Sequence, residues 1–293
     1  MIFSIEGLLR RSQRDSCPIG VLPVGRTNSL AKEVFNYSNA SSLKEVQSLA
    51  DSAIAIVRGK TTKKDVIKIE PASEDNSKIK PIYALHSFHW GAFRDALTLR
   101  DKYWYTGPLR EYFALLFNAF SDKVTWNCTA KVAYSLPCPG CSNCYVKPGA
   151  TKQQQGRRWW SSLLSKQPAN PSEPDFSRTK NERCNDQYEL EIDASEIQVV
   201  NNLKRSNDEI PKLTLQVGKK EESAVDFIWD SWNRINSDQY IPKEVLELRS
   251  IDIKPMVVST EEEEKFFSID NEAYEVKPVK ITVLPKAIDL YSL

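Results

Sequence analysis

The order of apolar and polar residues changes character near residue 64. Before that point the pattern alternates between strand and helix. An apolar run at Ile19–Leu22 leads through a Pro-Val-Gly turn into a segment with helical spacing. A second helix is predicted over Ser41–Val57, where apolar residues recur every three or four positions and Gly59 ends the pattern. A strand, a turn and helices in this order indicate an α/β domain over residues 1–64.

Beyond residue 64 the pattern predicts strands separated by polar loops. Apolar and polar residues alternate over Asp65–Glu70, as in a half-buried strand, and helical spacing returns at Leu109–Phe120 and Val225–Ile235. Further strands are predicted at Ile82–His89, Thr129–Leu136, Gln187–Ile192, Ile197–Val200, Leu213–Val217, Val245–Ile253, Phe266–Ile269, Val279–Val283 and Ala287–Tyr291. Residues 65–293 are therefore predicted to form a mainly antiparallel β-sandwich domain, with a mobile, loop-rich insertion at residues 137–185.

Composition narrows the function classes. The chain has 293 residues, 41% of them hydrophobic and 27% charged, which is typical of globular proteins. A net charge of +1 argues against a general nucleic-acid binder, because binding to phosphate backbones needs a basic surplus. No apolar run approaches the roughly 18 residues that a membrane span needs, and the first residues lack the pattern of a secretory signal.

The turn that follows Ile19–Leu22 is a candidate phosphate site. A glycine turn that enters a helix leaves backbone N–H groups unpaired, and the helix dipole adds positive potential there. Asn28 or Ser29 is predicted to cap the helix. The alternative is an ordinary connection between a strand and a helix.

Three short motifs resemble the diacylglycerol kinase-like lipid kinases. The first is PVGRTNSLAK at residues 23–32, which is similar to the family signature Pro-x-Gly-Thr-x-Asn-Asp-Phe-Ala-Arg, although Arg26 and Ser29 depart from it. The second is HWGAFRDA at residues 89–96, followed by KYWYTGPLR at residues 102–110, which resembles a segment of lipid recognition. The third is FSIDNE at residues 267–272, which resembles an Asp-Gly-Glu signature with Asn271 in place of glycine.

The resemblance implies ATP-dependent phosphorylation of an acylglycerol, with Mg²⁺ as the metal cofactor. It implies that Asp270 is the base that accepts the hydroxyl proton and that Glu272 binds Mg²⁺ or water. Asp95 is then expected to hold the polar head of the lipid; its alternative is a loop carboxylate paired with Arg94 or Lys102. Residues implied in nucleotide binding are Gly25, Arg26, Thr27 and Asn28.

Within the family, the run YWYTGPL and the ending SIDNEAYEVKPVKITVLP most resemble the mitochondrial acylglycerol kinase branch, of invertebrate type. This branch implies a location at the mitochondrial inner membrane, facing the intermembrane space. Its partners would be the lipid substrate, the membrane surface and subunits of the inner-membrane carrier translocase, without nucleic acid. The expected fold class is an incomplete N-terminal α/β nucleotide-binding domain followed by the β-sandwich domain.

The family's main nucleotide signature, Gly-Gly-Asp-Gly-Thr, is absent from this sequence. Its glycines let the backbone close on the ATP phosphates. We therefore expect an N-terminally truncated chain, either a fragment or a short form, with little or no kinase activity of its own. The alternative function is that of a non-catalytic subunit of the carrier translocase.

Cys138, Cys141 and Cys144 have the spacing Cys-x2-Cys-x2-Cys, which could supply three thiolates to Zn²⁺, with Cys128 or Cys184 as a fourth ligand. Disulfides or free thiols are the alternatives. The two histidines, at positions 86 and 89, are expected to pack rather than to bind metal.

The segment RRWWSSLLSK at residues 157–166 combines basic, aromatic and apolar residues. A short helix of this kind is predicted to lie on an anionic membrane surface. The alternative is a solvated loop whose tryptophans pack on the body of the protein.

Overall fold

The computed structural model of the chain describes residues 7, 9, 17–25, 28–35, 42–72, 80–120, 126–144, 176, 178–204, 209–220, 223–237, 240–256 and 266–293. The chain forms two compact units, one made of residues 1–137 and 187–293 and the other of residues 138–186. The domain boundary at residue 64 stays a prediction. The segment at residues 157–166 and most of the insertion lie outside the described residues.

Two six-stranded sheets form the body of the larger unit. Their strand orders are β2-β1-β12-β9-β4-β5 and β11-β10-β3-β6-β7-β8, and neighbouring strands are antiparallel throughout. The strands are β1 (Thr61–Pro71), β2 (Ile82–Ala84), β3 (Ser87–Gly91), β4 (Cys128–Ser135), β5 (Tyr188–Ala194), β6 (Glu196–Asn201), β7 (Leu213–Val217), β8 (Glu244–Leu248), β9 (Ser250–Pro255), β10 (Phe266–Ile269), β11 (Glu272–Glu275) and β12 (Val279–Tyr291).

The described helical segments are short, apart from two. They are α1 (Ser29–Phe35), α2 (Ser42–Arg58), α3 (Ala92–Thr98), α4 (Arg110–Asn118) and α5 (Ala224–Ser237), with 3₁₀ segments η1 (Leu99–Leu109) and η2 (Glu182–Asn185). Among the described helices, none has both the length and the apolar content to cross a membrane.

One apolar core joins the two sheets. The rings of Phe88 and Phe267 have centroids 4.7 Å apart, and Trp90 meets Phe267 edge-on at 5.6 Å; all three side chains are fully buried. Their core continues into Ile67 and Ile69 of the opposite sheet. Sheets that share a core in this way form a sandwich, as the strand pattern predicts.

The N-terminal segment packs on the outer face of the first sheet. Ile19 forms a parallel bridge with Leu290 of β12, and its N–H donates to the carbonyl oxygen of Asp289 at 2.8 Å. Leu30 and Val34 of α1 pack against a second apolar cluster that contains Val66. The amphipathic pattern of α1 is therefore used to cover the sheet.

Two long predicted strands are each divided between the sheets. The segment Ile82–His89 contains β2 of one sheet and β3 of the other, and Val245–Ile253 likewise contains β8 and β9. The prediction of one strand for each segment is wrong. The alternating pattern continues on both sides of the point where the chain passes from one sheet to the other, so it does not mark that point. Conversely, β12 is one strand over Val279–Tyr291 although two were predicted.

Candidate active site

The segment Asp270–Asn271 forms a tight turn between β10 and β11. Both residues have left-handed backbones, with φ of 44° and 71°, and Ile269 pairs with Glu272 directly across the turn. Two left-handed residues between paired strands match the right-handed twist of a hairpin, and asparagine and aspartate tolerate this conformation. The turn chemistry that the sequence suggests for Asn271 is thus observed.

The carboxylate of Asp270 binds the connection between β2 and β3. Its Oδ2 accepts the N–H of Leu85 at 2.7 Å, and its Oδ1 accepts those of His86 at 3.0 Å and Ser87 at 2.9 Å. A carboxylate offers about four acceptor positions, so these bonds use most of them. Asp270 therefore fixes the hairpin turn against the start of β3.

Glu272 is the first residue of β11, directly after the turn that contains Asp270. Its side chain is half-buried, and the hydroxyl of Tyr274 donates to its Oε2 at 3.2 Å. Among the described residues, Tyr274 is the one that binds this carboxylate, which leaves its other oxygen for a further ligand or for solvent. Asp270 and Glu272 are close in sequence, but the carboxylate of Asp270 accepts three hydrogen bonds and that of Glu272 accepts one.

His86 connects the Asp270 turn to helix α1. Its Nδ1 lies 2.5 Å from Oε2 of Glu33, whose Oε1 accepts the N–H of Leu203 at 2.9 Å. Burial lowers the pKa of His86, but the hydrogen bond and charge of Glu33, with the charge of Asp270, raise it overall. The imidazole is therefore more than a packing residue: it pairs with the helix that follows the Gly25 turn.

The turn before α1 is closed by the side chain of Asn28, one of its own residues. Asn28 has a φ of 48°, its Oδ1 accepts the N–H of Gly25 at 2.8 Å, and its carbonyl oxygen accepts the N–H of Lys32 at 2.9 Å. Asn28 thus occupies the cap position but points back into the turn, and the Gly25 amide predicted to be unpaired is paired within it. Arg26 and Thr27, the other predicted nucleotide contacts, lie outside the described residues.

Asp95 lies in the first turn of α3, beyond the other end of β3. Its Oδ1 is 2.9 Å from Nη1 of Arg94, and both side chains are largely buried. It is therefore paired with Arg94, as one alternative expects, but on a helix rather than a loop. Strand β3 spans about 13 Å between its first and last residues; Asp270 binds at its start, whereas Asp95 follows its end.

A buried ionic cluster, which the sequence pattern did not indicate, lies behind β3. Both oxygens of Glu196 lie 3.0 Å from Nη1 of Arg234, and Gln198 donates to Oε1 of the same carboxylate. The guanidinium carbon of Arg234 lies 3.8 Å from the ring centroid of Phe93 and 4.4 Å from that of Tyr240. Burial raises the pKa of Glu196, but the charge of Arg234 outweighs it, with help from His89 and Gln198, and brings it to about 2.

His89 belongs to the same cluster. Its Nδ1 lies 3.9 Å from Oε1 of Glu196, and its Nε2 is 2.8 Å from the hydroxyl of Ser87. Burial and the charge of Arg234 lower its pKa, although Glu196 acts in the opposite direction. Because the chain has only two histidines, their placement three residues apart at positions 86 and 89 was the signal that could have drawn attention to this region.

A cavity of about 470 Å³ opens beside these groups. Its walls include polar side chains from β3, β6, β7 and α5 and from the connection before β3, namely His86, His89, Gln198, Gln216 and Arg234. The lining also includes Val200, Tyr240 and Ile241, so the cavity offers apolar contacts as well as hydrogen-bond partners.

The cysteine-rich unit is separate and is described by itself. The sulfur atoms of Cys138, Cys141, Cys144 and Cys184 all lie within 4.8 Å of one another, and no disulfide joins any of the six cysteines of the chain. Of the two residues predicted as a fourth ligand, Cys184 joins the group. Cys128 belongs to β4 of the other unit, where its thiol faces the carbonyl oxygen of Ser195.

Comparison with known proteins matches the family model of the acylglycerol kinase C-terminal region to residues 85–292 of this chain. Mitochondrial acylglycerol kinase of Homo sapiens is 28% identical over 294 residues, covering 98% of this chain and 65% of that protein. An uncharacterised Caenorhabditis elegans protein is 24% identical over 289 residues, which cover 97% of this chain and 58% of that protein. The chain thus spans less than two thirds of the length of either relative.

A solved structure shares the fold. The crystal structure of a putative diacylglycerol kinase from Bacillus anthracis superposes with a TM-score of 0.50 at 14% identity, covering 98% of this chain and 72% of that chain. The predicted fold class, an α/β part followed by a β-sandwich, is confirmed. With the family model covering most of its length, this chain belongs to the acylglycerol kinase family of diacylglycerol kinase-like lipid kinases.

Proposed function

We propose that this chain is part of a kinase that transfers the γ-phosphoryl group of ATP to a free hydroxyl of a mono- or diacylglycerol. The products would be lysophosphatidic and phosphatidic acid. The observation that carries the proposal is that the third motif and the helix that begins in the first motif both contact the segment just before the second motif. Asp270 bonds to the amides of residues 85–87, Glu33 of α1 pairs with His86, and Asp95 follows in the same stretch.

Glu272 is the proposed ligand for Mg²⁺. Magnesium in phosphoryl-transfer sites typically takes one or two carboxylates together with substrate phosphates and water, so a single partly accessible carboxylate fits. The ion would neutralise charge that develops on the transferred group. Gly25, Arg26, Thr27 and Asn28 would line the nucleotide, and this assignment rests on the motif.

Asp270 remains the proposed base, and its hydrogen bonds define the competing role. Three backbone N–H groups hold its carboxylate, which suits a residue that positions the turn for Glu272. Phosphoryl transfer depends mainly on positioning and charge neutralisation, so a positioning Asp270 would still matter for turnover. Separate substitution of the two acidic residues distinguishes these roles.

Two features support an acylglycerol as acceptor. Asp95 and the polar side chains of the cavity beside His86 and His89 offer partners for glycerol hydroxyls. The segment that follows Asp95 exposes Trp104 and Tyr105, and the adjoining helix α4 and its end expose Phe117 and Phe120. Aromatic side chains with this exposure are typical of contact with a membrane interface, from which a lipid substrate would enter.

The location that we propose is the mitochondrial inner membrane, facing the intermembrane space. It rests on the family resemblance and on the word "mitochondrial" in the name of the human relative. Contact with carrier translocase subunits is the alternative proposed for a chain that acts without catalysis.

The test is a lipid phosphorylation assay with ATP, Mg²⁺ and monoacyl- or diacylglycerol in mixed micelles. It compares this chain with a chimera that carries a segment with the family's Gly-Gly-Asp-Gly-Thr signature ahead of Met1. We expect the chimera to phosphorylate the lipid. A chimera that folds but phosphorylates no acylglycerol would contradict the kinase proposal and favour the translocase alternative.

The residue roles are tested in the same chimera. Asp270→Asn and Glu272→Gln should each lower kcat by about 100-fold or more, as loss of a proton acceptor or metal ligand does. Glu275→Gln is the matched control, because Glu275 lies exposed on β11 and, among the described residues, forms its ion pair with Lys277. Urea unfolding of Asp270→Asn, and the pH dependence of its residual kcat, separate a base from a positioning residue. Unchanged turnover in Asp270→Asn would exclude both.

A further inference from the structure

Four cysteines converge in the smaller unit although they come from its two ends. Cys138, Cys141 and Cys144 follow directly after residue 137, and Cys184 stands near the other end at residue 186. Their sulfur atoms all lie within 4.8 Å of one another, with Cys141 and Cys144 at 3.6 Å. Tetrahedral zinc binds thiolates at about 2.3 Å, which places its sulfur ligands about 3.8 Å apart. The observed group is close to that arrangement.

The sulfur atoms already receive the hydrogen bonds that thiolate ligands of a metal usually accept. The N–H of Cys141 donates to the sulfur of Cys144 at 3.3 Å, and Nδ2 of Asn181 donates to the sulfur of Cys138 at 3.2 Å. Asn181 also accepts the N–H of Arg183, which fixes the 3₁₀ turn that carries Cys184. Donors of this kind orient ligands and stabilise their negative charge.

The backbone between the first two cysteines is specialised. Gly140 has a φ of 129°, and a Cβ at this position would lie 2.6 Å from ring carbons of Phe176. Only glycine can adopt this conformation and also leave room for the ring. The loop is therefore shaped to bring Cys138 and Cys141 to one side.

Burial supplies the energetic argument. Within the described residues of this unit, the buried core consists of Cys138, Cys141 and Cys184, with Cys144 packed against them. Among the described residues of this unit the buried side chains are those of cysteines, which stabilise a small fold by binding a metal or by forming disulfides. Two disulfides would require the sulfurs to approach only in pairs, whereas one metal ion requires all four to converge, as they do.

We propose that Cys138, Cys141, Cys144 and Cys184 bind one structural Zn²⁺ ion that joins the two ends of the unit formed by residues 138–186. All four coordination positions are filled by thiolates, so the ion has no open position and serves folding rather than catalysis. The site is independent of the lipid kinase proposal.

The first test is metal analysis of the purified full chain by inductively coupled plasma mass spectrometry. We expect about one zinc ion per chain, and near none in Cys184→Ser. The matched controls are Cys17→Ser, which changes an exposed cysteine, and Cys128→Ser, which changes a buried one outside the group; both should keep the ion. A metal-free parent chain, stoichiometric iron instead of zinc, or full zinc in Cys184→Ser would overturn the proposal.

A second measurement covers the case in which Cys184→Ser does not fold. The folded parent chain is alkylated with iodoacetamide before and after treatment with a strong chelator, and the modified cysteines are mapped by mass spectrometry. The four proposed ligands should react only after zinc is removed. Reaction without chelator, or disulfide-linked peptides among these cysteines, would refute the site. In addition, Asn181→Ala should weaken zinc binding by about 10- to 100-fold, since Asn181 bonds a ligand.

Discussion

A single nitrogen of Arg234, Nη1, lies 3.0 Å from each carboxylate oxygen of Glu196. The pair is deeply buried, with side-chain exposures of 14% and 7%, and the guanidinium is covered by two aromatic rings. Arg234 comes from α5 and Glu196 from β6, so this ion pair fixes the helix to the second sheet beside the cavity.

Substitution of Arg234 should therefore lower the stability of the fold. Arg234→Met leaves Glu196 buried without its cation, and we expect the free energy of unfolding to fall by about 3–5 kcal/mol. Lys277→Met is the control, because the pair Lys277–Glu275 is exposed and should contribute at most about 1 kcal/mol. Urea unfolding followed by tryptophan fluorescence measures both. Equal losses in the two variants would show that the buried pair has no special role.

The same pair predicts a dependence of stability on pH. The pKa of Glu196 is about 2 in the folded chain, below its ordinary value of 4.5. The ionised carboxylate of Glu196 therefore adds about 3 kcal/mol to the free energy of unfolding. This contribution is complete above pH 4.5 and is lost as pH falls toward 2. The difference in unfolding free energy between the parent and Glu196→Gln should narrow between pH 5 and pH 2. A difference that stays constant over this range would contradict the assignment.

The sequence predicts most strands because alternation reports directly which face of a strand is buried. Strands β7 and β10 begin and end where the pattern places them. What it cannot give is the sheet to which a strand belongs. The pattern runs unbroken through Leu85–His86 and Arg249, where the chain passes from one sheet to the other.

The candidate site was predictable only where short-range motifs carry it. The turn at Asp270–Asn271 follows from local backbone preference, whereas the pairing of Glu33 with His86 joins residues far apart in sequence. The cluster of Glu196 and Arg234 was missed for the same reason. A charged residue in a strand or helix pattern reads as an exposed position until its partner is known.

The two histidines should titrate on opposite sides of the ordinary value of 6.5. The pKa of His86 is raised, mainly by Glu33, and that of His89 is lowered by burial. In Glu33→Gln the pKa of His86 should fall, while the pKa of His89 should stay unchanged. The imidazole signals can be followed by NMR between pH 4 and pH 9, and Glu70→Gln provides a control at an acidic residue paired elsewhere, with Lys68.

The sign of the linked stability follows from the raised pKa of His86. The contribution of its pair with Glu33 is complete below pH 6.5 and is lost as pH rises through the folded value. Two histidines that both titrate near 6.5, or a higher titration that does not respond to Glu33→Gln, would show that the pair does not form in solution.

Gly91 lies at the junction between β3 and α3, where the strand that carries the site turns toward Asp95. Its backbone has φ 126° and ψ −166°, a conformation that is essentially confined to glycine. A Cβ there would lie 2.3 Å from the carbonyl oxygen of Ser195 and 2.8 Å from Cα of Glu196. Because these neighbours are backbone atoms of a paired strand, they cannot move aside cheaply.

Gly91→Ala should therefore lower the free energy of unfolding by at least about 3 kcal/mol, from backbone strain and steric overlap together. Gly59→Ala is a milder comparison, since Gly59 also has a positive φ, of 68°, but has open space where a Cβ would be. Its cost should be about 1–2 kcal/mol. Chemical unfolding of the two variants gives the comparison. If Gly91→Ala costs no more than Gly59→Ala, the close approach of β3 to the start of β6 is not maintained in solution.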